Sequence, residues 1–233
     1  ASSSSTSPPP TRFGAFVAGL ELFDARALGM LPGEAVTADP QHRLLLVGSA
    51  ELLLRARASS SGGGGGGGGG NNNAAAVASS GSATGVFFGT SWTEYAAISA
   101  LHARPLAAHS AQGAVLSVAA GRTSYAFGLR GPSVVVDTAC SSGLVAAHLA
   151  REALAVTRAA PSAVVGGANA MLSARTSAMF AAGGFLARDG RCKALDGAAD
   201  GYSRAEGVAL MLLVRQEAEE HEGDKAASSS SSS

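Results

Sequence analysis

Ser133-Val134-Val135-Val136-Asp137 is the segment that most restricts what this chain can fold into. Three successive β-branched residues leave no polar face, so a strand built from them has to be covered on both sides. Gly85-Val86-Phe87-Phe88-Gly89 and Ser162-Ala163-Val164-Val165-Gly166-Gly167 have the same character. Strands of this kind belong to parallel sheets, whose crossover connections place helices on the faces. The intervening sequence supplies them. Pro40 opens a helix through about Arg57, with Leu44, Leu45, Val47, Leu52 and Leu53 over a broad apolar face. A short helix is expected from Thr93 to about His102. A longer one runs from Ala111 to Phe127, with Val115, Leu116, Val118, Ala119 and Tyr125 on overlapping faces and Gly128 as its stop. Further helices are expected from Ser141 to about Thr157 and from Thr176 to Ala182. Phe13 to Leu20 reads as a short strand or an irregular lead-in, and Gly207 to Val214 as a final strand. The alternation predicts an α/β layered fold.

Three segments fall outside this pattern. Residues 1–12 form a Ser/Pro lead expected to be disordered, and residues 217–233 a charged and then poly-Ser tail of the same kind. Residues 59–81 hold an unbroken Gly run from Gly62 to Gly70 followed by Asn71-Asn72-Asn73, which reads as a flexible surface insert. No Lys-Ser/Thr follows the glycines, so the run lacks what a phosphate cradle needs. The folded domain is therefore expected over residues 13–216.

The 233 residues are 46% hydrophobic, enough for one domain with a core of its own. Lys plus Arg and Asp plus Glu number 17 each, so the chain has no electrostatic footprint for nucleic acid or an anionic membrane. No apolar run approaches the ~20 residues that span a bilayer. The start has no apolar region of a secretory signal, and the expected compartment is reducing, the cytoplasm. Its Ser-rich, acid-poor character leaves a plastid open. Cys140 and Cys192 are the two cysteines, and their spacing gives neither a disulfide framework nor a zinc site. No metal or other cofactor is expected.

Cys140 lies where the Val134–Asp137 strand gives way to a helix, after the small residues Thr138 and Ala139. At the first turn of that helix the free N–H groups favour a thiolate, and a thiol pKa near 8.5 can fall to roughly 3.5–7.5 in such a place. The turn presents the sulfur at the end of a strand, where open sheets leave a crevice, and the Cys140 N–H is placed for an oxyanion hole. A buried structural cysteine fits the same local pattern.

Several blocks in one order distinguish these alternatives. Gly131-Pro132-Ser133-Val134-Val135-Val136-Asp137-Thr138-Ala139-Cys140-Ser141-Ser142-Gly143-Leu144-Val145-Ala146-Ala147-His148-Leu149-Ala150 resembles the active-site stretch of β-ketoacyl synthases, most closely the ketosynthase domains of modular type I polyketide synthases. Phe23-Asp24 with Ala38-Asp39-Pro40-Gln41-His42-Arg43-Leu44-Leu45-Leu46 resembles an upstream helix of that family. Thr84-Gly85-Val86-Phe87-Phe88-Gly89-Thr90-Ser91 resembles a strand, and Ser117-Val118-Ala119-Ala120-Gly121-Arg122-Thr123-Ser124-Tyr125 a further helix. Asp189-Gly190-Arg191-Cys192-Lys193-Ala194-Leu195-Asp196 and Asp200-Gly201-Tyr202-Ser203-Arg204-Ala205-Glu206-Gly207 resemble two later blocks.

The resemblance implies a thiolase-like fold of two similar α/β halves, of which this chain holds the first without its opening strand. It implies that Cys140 accepts an acyl chain as a thioester before decarboxylative Claisen condensation with a malonyl unit on an acyl carrier protein. It also implies a homodimer. The family's His-Gly-Thr-Gly-Thr and Asn-x-Gly-His blocks do not occur in the sequence. The chain therefore reads as an internal piece that accepts an acyl group, or as a catalytically incomplete module that only associates. His42, His102, His109, His148 and His221 are all expected to be structural, His42 on a surface or in helix packing. Cys192, between Arg191 and Lys193, is expected to lie away from the acyl site.

Overall fold

The structure is a computed structural model, and it describes residues 13–61, 82–101 and 108–216. The Ser/Pro lead, most of the Gly/Asn segment, the tail, His102 and His221 lie outside the described residues.

Four strands form one sheet in the order β2-β1-β3-β4: β1 (Gly85–Gly89), β2 (Ser133–Val136), β3 (Ser162–Asn169) and β4 (Gly207–Val214). The first three are parallel, and Phe87 of β1 lies between Val134 of β2 and Val165 of β3. Strand β4 runs antiparallel to β3, with Met211 opposite Val165. All five residues of β1 are buried, as its lack of a polar face requires. Each strand sends alternate side chains to opposite faces. Val86, Phe88 and Val164 pack with Leu45 and Leu53 of α2 (Pro40–Ser61) and with Ala119 and Ala120 of α5 (Leu116–Phe127). Phe87, Ala163 and Val165 pack on the other face with Ala146 and Ala150 of α6 (Ser142–Arg151). The result is helix, sheet, helix in three layers, with α6 crossing from β2 over β1 to β3. Alanines dominate the α6 contact, so that helix approaches the sheet closely.

The remaining helices are α1 (Pro32–Thr37), α3 (Glu94–Leu101), α4 (Ser110–Gly113) and α7 (Ala174–Ala182). Several sequence expectations change. The helix expected from Ala111 to Phe127 is two helices, α4 and α5, separated by Ala114 and an extended Val115. The Gly113 carbonyl accepts the Asp39 N–H at 2.7 Å instead of continuing the helical ladder. The helix expected from Ser141 to Thr157 begins at Ser142 and passes into a π-helical turn over Glu152–Val156. Helix α2 continues through Ser61, so the start of the expected insert is helical. Phe13 to Leu20 takes the irregular of its two expected forms, with a single bridge from Ala15 to Ala205 in which Ala15 donates its N–H to the Arg204 carbonyl and accepts from the Glu206 N–H. Helix α1 has no counterpart among the expected elements, although Pro32 at its start is a recognised opening signal. Gly128 stops α5 as expected, with φ 65° and the Leu129 N–H returning to the Ser124 carbonyl. Tyr125, expected on a packing face of α5, is exposed.

His42 does not lie on a surface. It is 2% exposed, on the buried side of α2, and burial followed by the Arg122 charge lowers its pKa to about 4. Asp39, three residues earlier, has its carboxyl raised by burial, against the Gln41 hydrogen bonds and the Arg43 charge that lower it. The two act on stability in opposite senses. The unfolded chain protonates His42 near 6.5 while the folded chain refuses the proton down to about 4, so stability falls as pH drops through that window. Asp39 takes up its proton earlier in the folded state, so stability rises as pH falls towards 3.8. Urea unfolding of the chain and of His42→Gln at pH 7 and pH 4.5 isolates the histidine. The unsubstituted chain is expected to lose about 2 kcal/mol more than the variant on acidification.

Candidate active site

The carboxyl ends of β1, β2 and β3 meet at one edge of the sheet, the end at which open parallel sheets bind ligands. A cleft of about 600 Å³ opens there, with Gly89, Cys140, Gly167 and Gly207 among its lining residues. Because β4 is antiparallel, it contributes its start rather than its end. The walls are Trp92 after β1, Phe180 of α7, and Tyr202, Ser203 and Arg204 on the stretch leading into β4.

Cys140 is exposed in this cleft. It stands two residues ahead of the first helical residue of α6, not within the first turn as the sequence suggested, and Ser141 is the N-cap. The preceding Ala139 has φ 55°, a left-handed conformation that costs a non-glycine residue roughly 1–2 kcal/mol. Ser142 offsets that cost. Its buried hydroxyl donates to the Ala139 carbonyl at 2.6 Å and accepts from the Thr138 N–H at 2.8 Å. The Asp137 carboxylate accepts from the Ala139 N–H at 3.0 Å, and the Ser141 hydroxyl lies 2.8 Å from the Thr138 carbonyl. Ser91, after β1, sits 3.3 Å from both the Ala139 carbonyl and the Ser142 hydroxyl. The turn around the thiol is thus held by short local bonds and by the segment after β1.

The turn rests on β1 at Gly89. A Cβ there would lie 2.4 Å from the Ser142 carbonyl carbon and 2.5 Å from the Gly143 nitrogen. Only glycine lets the start of α6 come down onto the strand.

Gln41 braces the same side of the cleft from behind. It donates to the Trp92 carbonyl at 2.6 Å and accepts from the Thr90 hydroxyl at 3.3 Å, while its own N–H is capped by the Asp39 carboxylate. The opposite wall is aromatic: Phe180 meets Trp92 and Tyr202 edge to face, with centroids 5.5 and 6.3 Å apart. Burial raises the Tyr202 hydroxyl above its usual pKa against the Arg204 charge, with Cys140 adding in the same direction.

None of the described histidines lines this cleft. His148 is near the end of α6, eight residues or about 12 Å of helix beyond Cys140. Cys192 is exposed outside the cleft lining, with its sulfur accepting the Ser203 N–H at 3.3 Å. No group of His, Cys, Asp or Glu among the described residues is arranged to hold a metal ion. None of the described helices is long and apolar enough to cross a membrane. Sequence reasoning did not single out Ser142, Ser91, Gln41, Glu94 or the aromatic wall. Ser142, Ser91, Gln41, Tyr202 and Arg204 sat in blocks already quoted, without a role assigned to them. Glu94, Phe180 and Arg204 are too far apart in sequence for spacing to connect them.

Gly89→Ala is expected to force the start of α6 off the strand and to destabilise the fold by about 1–3 kcal/mol, the range for overpacking. Urea unfolding checks the stability, and the rate of iodoacetamide alkylation at Cys140 checks the displacement of the turn.

The family described as beta-ketoacyl synthase, N-terminal domain, matches residues 2–219. A phenolphthiocerol/phthiocerol polyketide synthase of Mycobacterium tuberculosis is 38% identical over 215 residues, which are 92% of this chain and 13% of that protein. Polyketide synthase GfsB of Streptomyces halstedii is 40% identical over 213 residues, 91% of this chain and 4% of the relative. Among solved structures, the ketosynthase from module 6 of the bacillaene synthase from Bacillus subtilis 168 superposes with a TM-score of 0.70 at 30% identity, covering 87% of this chain and 31% of that one. The oxazolomycin ketosynthase domain OzmH KS7 of Streptomyces albus JA3453 gives 0.70 at 32% identity, covering 87% and 33%. The chain thus spans a small part of these polyketide synthases and about a third of the solved ketosynthase chains. The layered α/β fold is thiolase-like, and the chain belongs to the beta-ketoacyl synthase family, matching its N-terminal domain.

Proposed function

We propose that this chain carries the acyl-accepting site of a condensing enzyme of polyketide assembly, with Cys140 as the nucleophile. The observation that supports this most is the exposed thiol on a strained, hydrogen-bonded turn at the carboxyl edge of the sheet. In the proposed step the Cys140 thiolate attacks the carbonyl of an acyl thioester on the phosphopantetheine arm of an acyl carrier protein. The carrier thiolate leaves, and the acyl group remains on sulfur as a thioester. The Cys140 N–H serves the developing oxyanion. Trp92, Phe180 and Tyr202 line the side of the cleft against which the acyl group would pack.

Condensation asks for more. Loss of carbon dioxide from a malonyl thioester leaves an enolate, whose carbon attacks the Cys140 thioester and returns the thiolate. The enolate oxygen needs donors as charge develops on it. No described histidine lies in the cleft, and the family blocks that would provide imidazoles do not occur in the sequence. Acyl transfer to Cys140 is the step this chain performs by itself, and condensation is the step it performs with residues supplied from elsewhere.

A second reading is a non-catalytic, dimerising module. The observation favouring it is β2, an edge strand of the sheet whose outer side has no strand partner among the described residues. Such an edge can pair with a second copy.

Incubation with an acyl-N-acetylcysteamine thioester, followed by intact-mass measurement and peptide mapping, separates the two. One acyl group on Cys140, lost in Cys140→Ala and kept in Cys192→Ala, is the expected result. A chain that stays unmodified while a solved ketosynthase is labelled in parallel would overturn the enzymatic reading. A twofold mass in light scattering would then favour the dimerising one.

A further inference from the structure

Two buried charges stand behind the aromatic wall. Glu94, the first residue of α3, is 7% exposed, and Arg204, on the approach to β4, is 6% exposed. Arg204 Nη2 lies 3.7 Å from Glu94 Oε1. Each charge also has a second partner. Glu94 Oε2 accepts the N–H of Ser173, the N-cap residue of α7, at 2.6 Å. Arg204 Nη1 donates to the hydroxyl of Ser177, one turn further along α7, at 2.7 Å. The Arg204 guanidinium also lies over the Phe180 ring, 5.2 Å from its centroid, a cation–π contact. The pair therefore grips α7 at two points and touches the ring that α7 puts into the cleft.

The three pieces so joined are the three that wall the cleft. Trp92 is two residues before Glu94, Tyr202 two residues before Arg204, and Phe180 is on α7 between its two anchor points and its end. Among the described residues, no strand pairing unites these pieces with one another apart from the single bridge of Leu186 with Tyr202. A buried ion pair is weak evidence for net stability, because desolvation cancels most of its attraction, yet removing one partner leaves an uncompensated charge. The pair sits where helix and loop segments meet around the cleft.

We infer that the Glu94–Arg204 pair positions the aromatic wall and so sets the size of group that reaches Cys140. Glu94 and Arg204 are positioning residues: they act through Phe180 and Tyr202. The meaning of the gate as acyl selection rests on the reading of Cys140 as the acylated residue, whereas its existence can be read from thiol access alone.

The test compares alkylation of Cys140 by iodoacetamide and by its bulkier N-benzyl derivative, with peptide mapping to follow Cys192 in the same sample. Cys192 is exposed outside the cleft lining, and although its sulfur accepts the Ser203 N–H, its ratio of the two rates, rather than its absolute reactivity, is the internal reference for a thiol with no cleft around it. In the unsubstituted chain the small reagent is expected to be favoured at Cys140 and much less so at Cys192. In Glu94→Gln the preference at Cys140 is expected to fall roughly tenfold, the order of discrimination that small changes of fit produce in an apolar pocket, with Cys192 unchanged. Emission from Trp92, the single tryptophan, is expected to move to the red as its contact with Phe180 loosens. Ser177→Ala, which removes one anchor without burying a lone charge, is expected to move both readouts the same way by a smaller amount. A folded Glu94→Gln with an unchanged preference, or with equal changes at both cysteines, would overturn the inference. If Glu94→Gln does not fold, an unchanged preference in Ser177→Ala overturns it. Size-dependent alkylation that responds to these variants in a chain taking up no acyl group would support the gate and sink the acylation reading instead.

Discussion

The contact between the first turn of α6 and the backbone of β1 at Gly89 governs the geometry of the site. A helix packed on a sheet through side chains stands about 10 Å from it. Here the Ser142 and Gly143 backbone comes down to the level where a Cβ would otherwise be. That approach brings Ser142 within reach of Ser91 and lets its hydroxyl close the Ala139 turn. It also aligns the thiol with the ends of three strands. The alanines along α6 continue the close fit, since Ala146 and Ala150 are fully buried against β1 and β3. The left-handed Ala139 is held because the polar groups beside it have partners, so strain at one residue is met by hydrogen bonds at its neighbours.

The sheet was legible in the sequence because its strands carry the strongest possible signal: apolar runs with no alternation, bounded by glycine or serine. The long helices were legible from their apolar faces. Features decided by distant contacts were not. The break between α4 and α5 follows from the Asp39 N–H capturing the Gly113 carbonyl, which helix periodicity cannot register. The irregular path of Phe13 to Leu20 follows from its docking on the Arg204 to Glu206 stretch. At the site, Cys140 was legible through its block, while its place ahead of the helix depended on the left-handed Ala139. The Glu94–Arg204 pair joins residues 110 positions apart, and nothing in local sequence marks such a union.

The Asp39-Pro40-Gln41-His42 block has a physical account that its sequence did not disclose. Proline opens α2, and the Asp39 carboxylate caps the Gln41 N–H. Gln41 commits both ends of its amide to the segment just after β1. His42 Nδ1 and Asp39 Oδ2 are buried with no hydrogen-bond partner among the described residues. The helix start is thus a polar brace buried under the cleft, and it costs stability that the apolar faces of α2 offset.

The reversal of β4 divides the cleft into two kinds of material. Its floor is the edge of a parallel sheet, fixed by ladders and by the helix on Gly89. Its walls are the segment after β1, α7 and the connection that precedes β4, joined by the Glu94–Arg204 pair, by ring contacts and by backbone hydrogen bonds such as Tyr202 N–H to the Phe185 carbonyl. Sequence drift in the wall can therefore reshape what the cleft admits while the thiol and its turn stay where they are. A fold partitioned in this way can change what its cleft admits while the turn that carries the thiol keeps its shape.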